Sequence, residues 1–397
     1  MKHHDSISTT LTRGELRSVL AVSLIVSLRL LGIFLLIPVF SVSAIKYKNA
    51  SLLLVGIAFG IYPLVQGLFQ IPFGWASDRL GRRGPLLLGL LLFSVGSYFA
   101  YLSTDIYQLI AARAVQGSGA VGSVAMAALG DLTREKVRAQ AFTIAGISIG
   151  AAFVLGILGG PILAAHYGFS ALFAILAVLG VVAFLVALVC FPKMKLPTLH
   201  RQKEGILALV ARLNLRRLYT AALVCSLTLN LFFFLYPISW MEAGVGRSGL
   251  WKIYLLVLLP SLVVVFPYIR RAEKKGRLAP VPIIGYVTMI SGYFIYLVGG
   301  RSEWSLYATA ALFFLGYTLY QSILPTLLTQ RTPPERRGTA IGFYNLAGFL
   351  GASFGGILAG GLYGINPSYP ILLGLGLLVL WLFTGLPNAK SDTSNAH

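Results

Sequence analysis

The chain has 397 residues, of which 57% are apolar and 11% charged, and its mean hydropathy is +0.81. That composition excludes an ordinary soluble globular domain. The net charge of +20 does not point to nucleic acid, because the basic residues fall between apolar runs, and the two cysteines, Cys190 and Cys225, sit inside such runs as packing residues rather than as a disulfide framework.

The polar opening "MKHHDSISTTLTRGELR" is followed by an apolar run too long for a signal peptide and without a small-residue cleavage site, so it reads as a retained first span. Runs of about 20 apolar residues, enough to cross roughly 30 Å of hydrocarbon, predict twelve helices. They fall near 17–44, 52–73, 85–103, 107–130, 139–165, 169–191, 218–240, 250–269, 281–299, 304–329, 338–363 and 368–387. With the N-terminus in the cytoplasm, 25 of the 32 Lys and Arg residues lie in inner segments, five in outer loops and two, Arg29 and Arg113, within helices. This positive-inside bias predicts both termini on the cytoplasmic side, with the basic loops facing anionic lipid headgroups.

Within the first span, Arg29 lies twelve residues after Arg17 and seventeen before Lys46. At 1.5 Å per residue these separations are about 18 and 25 Å, too far for easy snorkelling. Two locations remain open for it: a watery cavity, or a seam where it bonds to polar side chains of neighbouring helices. None of the twelve acidic residues lies in the middle of a span, so a cavity containing Arg29 or Arg113 would favour an anionic or neutral amphipathic ligand over a lipophilic cation.

The basic stretch 192–217 separates six spans from six, giving an N-terminal bundle (1–191), a linker (192–217) and a C-terminal bundle (218–397). Apolar residues at helical spacing between Gly205 and Arg217 predict a helix on the inner membrane surface. The halves echo each other. Gly146, Gly159, Gly160, Ala164, Ala165, Tyr167 and Gly168 correspond, 196 residues on, to Gly342, Gly355, Gly356, Gly360, Gly361, Tyr363 and Gly364, and "DRLGR" at 78–82 recurs as "EKKGR" at 273–277. Duplication of this kind is common in secondary transporters, whose substrate sits near the midplane between repeats.

Three motifs carry a family resemblance. "GWASDRLGRRG", joining spans two and three, resembles the Gly-x-x-x-Asp-Arg-x-Gly-Arg-Arg signature loop of the major facilitator superfamily at Gly74, Asp78, Arg79, Gly81 and Arg82. Lipid anchoring by the arginines is the alternative reading. "RAVQGSGAVG" in span four resembles the superfamily's Arg-x-x-Gln-Gly-x-Gly pattern at Arg113 and Gln116. "GILGGPILAA" in span five resembles its antiporter motif at Gly156, Gly160 and Pro161, with Ala164 and Ala165 in place of two glycines. The run "RLLGIFLLIPV" resembles the YajR-like efflux branch, although those proteins usually continue into a soluble C-terminal domain and this sequence ends soon after span twelve.

The resemblance implies an all-α polytopic membrane protein of twelve transmembrane helices in two pseudo-symmetric six-helix bundles. It implies alternating access, a conformational latch at the signature loop, proton-coupled antiport and efflux, a bacterial inner-membrane location and a monomer. Arg113 would act in proton coupling or, alternatively, as a structural residue bonded to helix carbonyls. Spans one, four, seven and ten would line the cavity. The candidate substrate and coupling residues are Arg29, Arg113, Gln116, Asn230, Phe234, Tyr236, Tyr320, Gln321 and Asn345, with Tyr62, Gln66, Phe233, Tyr317 and Tyr344 as further neighbours. Aromatic rings with a few polar groups suit an amphipathic small molecule. No nucleotide-binding loop, His/Cys metal cluster or catalytic constellation is visible, so the expectation is no enzyme, no cofactor, no metal and no nucleic-acid partner. An importer or anion exchanger of the same fold, and a non-transporting membrane scaffold or sensor, are the alternatives.

Overall fold

The computed structural model describes residues 10–191, 213–275, 280–300, 302–332 and 337–385. The first half holds α1 (Arg13–Leu36), which continues through a 3-10 turn (Ile37–Val39) into α2 (Phe40–Ala44), then α3 (Leu52–Leu80), α4 (Arg83–Leu102), α5 (Ile106–Ser118), α6 (Val121–Asp131), α7 (Arg138–Tyr167) and α8 (Phe169–Cys190). The second half holds α9 (Leu213–Glu242), α10 (Leu250–Lys274), α11 (Val281–Gly299), α12 (Glu303–Gln330), α13 (Arg337–Ile365) and α14 (Tyr369–Gly385). Among the described residues, ten helical segments are long and apolar enough to cross a membrane. The other two of the twelve expected spans are a helix broken in the middle, α5–α6, and the shorter apolar α14.

Helix starts follow local chemistry. Thr12 and Glu15 form a reciprocal capping box at α1, and Ser51, Asp105 and Ser302 each cap a following helix through a side-chain oxygen. The signature segment is helical as far as Leu80, so the tight turn expected across Gly74–Gly84 is confined to Gly81 and Arg82, with Gly81 at φ +88°. The surface helix expected at 205–217 falls mostly outside the described residues, and its last part, from Leu213, belongs to α9.

The break between α5 and α6 lies at Gly119 and Ala120, whose ψ angles of 61° and 63° replace helical turns with two successive i→i+2 backbone bonds. No proline is involved, whereas Pro63, Pro72 and Pro161 sit inside unbroken helices. Gly119 presses against the Gly89 carbonyl and Phe93 of α4, an approach that a Cβ would block.

Each half is closed by the same device. In α7, Gly156 and Gly160 receive Phe34 and Leu35 of α1, while in α13, Gly351 and Gly355 receive Leu223 and Leu227 of α9. The two glycine pairs are offset by 195 residues, one less than the glycine echo in the sequence. The halves themselves meet along α3 and α13. Built Cβ atoms at Gly56 and Gly60 would lie 2.7 Å from the Gly356 carbonyl and 2.5 Å from that of Ser353. The closest approaches fall toward the Leu52 end of α3, away from the end where α1 begins. At the other end Gly74 and Gly342 have nothing against them, and Ile71, Trp75 and Leu80 are exposed.

Candidate functional site

A cavity of about 330 Å³ lies between the halves on the termini side of this glycine seam. The first half supplies Ile33 and Phe34 from α1, Phe59, Tyr62 and Gln66 from α3, and Arg113 from α5. The second half supplies Ser226 and Asn230 from α9, Tyr317 and Gln321 from α12, and Tyr344 and Asn345 from α13. Among the described lining residues Arg113 carries the only formal charge.

Arg113, 3% exposed, is held by contacts from four helices. Its Nη1 donates to Gln116 Oε1 at 2.5 Å and its Nε to the Ala58 carbonyl at 3.4 Å. Gln116 Nε2 donates to Ser97 Oγ at 2.7 Å, and Ser97 donates to the Phe93 carbonyl at 2.6 Å. The guanidinium carbon lies 4.5 Å from the Tyr62 ring centroid and 5.4 Å from that of Phe40, so aromatic faces take the place of a counter-ion, each worth about 0.5–2 kcal/mol.

Arg29 stands behind that wall rather than on it. It is 2% exposed, its Nη2 donates to Tyr62 Oη at 2.9 Å, and its guanidinium lies 5.4 Å from the Phe93 ring centroid. Its buried Nε has no hydrogen-bond partner. Of the two locations the sequence left open, the structure therefore places Arg29 in a helix seam, with its effect on the cavity passing through Tyr62. Tyr62 is thus fixed at its hydroxyl by one cation and covered on its face by another. No carboxylate touches either arginine among the described residues.

The other candidates divide by facing. Arg113, Asn230, Gln321 and Asn345 line the cavity, while Gln116 supports Arg113 from behind. Three aromatic candidates are packed elsewhere. Phe234 meets Phe59 at the junction of the halves (centroids 6.3 Å apart), Tyr236 stacks on Phe232 and donates to the Leu306 carbonyl, and Tyr320 packs against Tyr286 and Trp381. Ser226 was missed. A signal existed: Tyr62/Gln66, Ser226/Asn230 and Tyr317/Gln321 are polar pairs four residues apart, which places each pair on one helix face.

At the termini-bearing end, Arg82 binds the Asp78 carboxylate, donates to Ser77 Oγ at 2.8 Å and reaches Asp131 of α6 at 2.9 Å. Arg79 lies over the Trp75 ring at 4.3 Å, Ser77 Oγ donates to the Gly74 carbonyl at 2.8 Å, and Arg83 donates to the Leu188 carbonyl of α8 at 2.6 Å. These contacts stay within the first half. Nearby, Arg134 grips Glu15 through Nε and Nη2 at 2.9 and 3.0 Å, and that carboxylate raises the Arg134 pKa. Of the antiporter-like residues, Gly156 and Gly160 serve α1–α7 packing, and Pro161 is buried one position beyond without breaking α7.

Twelve spans in two halves, with a polar and aromatic cavity between them, define a membrane transporter. The profile of the Major Facilitator Superfamily matches residues 22–356 and again 218–396, and the chain belongs to that family. It is 33% identical over 377 residues to the inner membrane transport protein YajR of Escherichia coli strain K12, covering 94% of this chain and 83% of that one. It is 28% identical over 370 residues to the multidrug resistance protein MdtH of Photorhabdus laumondii, covering 88% and 90%. In fold it is similar to a D-xylose-proton symporter (TM-score 0.76, 17% identity, 94% and 98% covered). It is also similar to the human organic anion transporter MFSD10 (TM-score 0.71, 19% identity, 94% and 100% covered). The protein is an integral membrane transporter and not an enzyme.

Proposed function

We propose that the protein exports small amphipathic compounds, anionic or neutral, by alternating access, using the proton-motive force across a bacterial inner membrane. The observation that carries this reading is the Arg113 guanidinium on the cavity wall, held over Tyr62 with no carboxylate beside it. A cation withdrawn from water and given only dipoles and ring faces is incompletely compensated, and an anionic ligand supplies the missing partner. Phe34, Phe59 and Phe349 offer the apolar surface for the ligand's body, and Asn230, Gln321 and Asn345 face it from the second half. Relatedness to an inner membrane transport protein supports transport, and relatedness to a multidrug resistance protein supports its outward direction.

In this reading residues 1–191 and 218–397 rock as two units joined by 192–217, the chain acts as a monomer with both termini in the cytoplasm, and the Asp78–Arg82 turn stabilises the opposite access state. Arg29 acts as a positioning residue for Tyr62. The test is ligand movement in proteoliposomes energised by an imposed proton-motive force, with amphipathic anions, neutral compounds and lipophilic cations compared in wild type, Arg113→Gln and Asp78→Asn. Movement of anions and neutral compounds, lost in Arg113→Gln protein that remains folded, is the expected result. Equal transport of lipophilic cations by wild type and Arg113→Gln refutes it.

A further inference from the structure

We propose that export of anionic substrates is energised by the membrane potential acting on the charge of Arg113, without a proton relay through the cavity. The inference rests on the export reading above and deepens it. Among the described lining residues there is one cation and no Asp or Glu, and a second cation lies directly behind Tyr62. The described acids, Glu15, Asp78, Asp105, Asp131, Glu135, Glu242, Glu273 and Glu303, all lie at or close to helix ends. Besides Arg113, the titratable side chains on the wall are the phenols of Tyr62, Tyr317 and Tyr344.

Charge bookkeeping gives the direction. A monovalent anion on Arg113 cancels that charge, while the Arg29 charge is common to the loaded and empty forms, so the field opposes the outward turn of the loaded form less than it would that of the empty one. The emptied cavity keeps its positive charge, and an inside-negative potential pulls it back toward the cytoplasmic side. Each cycle moves one negative charge out. An elementary charge crossing about 100 mV gains roughly 2.3 kcal/mol, equivalent to a concentration ratio of about 50. No side chain has to change its protonation state for this to work.

The full-length protein in proteoliposomes tests the idea with 2-naphthalenesulfonate, an aromatic anion that stays ionised across the working pH range and so cannot itself ferry a proton. Potentials are set with potassium and valinomycin in strong buffer at equal pH. The expected result is a naphthalenesulfonate gradient that grows about 50-fold per 100 mV and is unaffected by a pH step at zero potential. Arg113→Lys, which keeps the charge, retains this behaviour, and Arg113→Gln loses at least 10-fold in initial rate, a factor of the size expected when one charge-assisted contact is removed. A gradient built by the pH step alone overturns the electrical proposal while leaving anion export standing. If neither gradient moves the anion in folded wild-type protein, both the proposal and the export reading fall.

Discussion

Gly60 sits where the two halves touch, and replacing it with alanine perturbs the contact between them more than the fold of either. A Cβ at this position would lie 2.5 Å from the Ser353 carbonyl and 2.9 Å from Ile357 Cγ1, both on the facing half. Overpacking of this kind costs about 1–3 kcal/mol. That strain applies only while α3 and α13 are together at their far ends, so it disfavours the present arrangement against the one in which that seam has opened. One to three kcal/mol shifts the ratio of the two states by about 5- to 150-fold. Gly117→Ala is the matched control: its Cβ would lie 2.5 Å from the Tyr62 carbonyl, within the first half, where the overlap strains both states alike. The gain in helix propensity from Gly to Ala, roughly 1 kcal/mol, applies to both variants and drops out of the comparison. Spin labels at Leu80 and Ile341, both exposed near the termini-bearing end, report the separation of the halves in a background lacking Cys190 and Cys225. Gly60→Ala should move the distance distribution toward shorter separations, and Gly117→Ala should leave it where it is. The same shift in both variants, or none in Gly60→Ala despite a lower melting temperature, refutes the seam as the element that opens.

Three further outcomes follow from the geometry. Tyr62→Phe removes the one hydrogen-bond acceptor recorded for the buried Arg29 and should lower stability in detergent by about 1–3 kcal/mol. Adding Arg29→Met should recover much of that loss, and a strictly additive double mutant would show that the pair is not coupled. Asp131→Asn should cost less than about 1 kcal/mol in thermal unfolding, because Asp131 is 38% exposed and solvent screens its bond to Arg82. Asn230→Leu and Gln321→Leu should each weaken binding of a polar ligand by roughly 2- to 10-fold, the worth of one neutral hydrogen bond, with no change in melting temperature. Titration of the purified transporter with that ligand reads this directly.

The sequence determined the solvent, the number of crossings and their division into six and six, because roughly twenty apolar residues in a row have few other uses and the polar joints between them are unmistakable. It also determined the placement of acids at helix ends and the signature turn near Asp78. It could not determine facing. A spanning helix is apolar toward lipid and apolar toward its neighbours, so the amphipathic stripe that orients a helix in a soluble protein is absent. For that reason Arg29 and Arg113 looked alike as intramembrane cations, and only the packing of α1, α3, α4 and α5 placed one in a seam behind Tyr62 and the other on the cavity wall. Tyr236 and Tyr320 were indistinguishable from Tyr317 and Tyr344 until α12 and α13 were set beside α9 and α11. The break at Gly119 was likewise a tertiary decision. The local sequence permits a helix there, and the break coincides with the contact of Gly119 with Gly89 and Phe93 on α4, an approach open only to a residue without a Cβ.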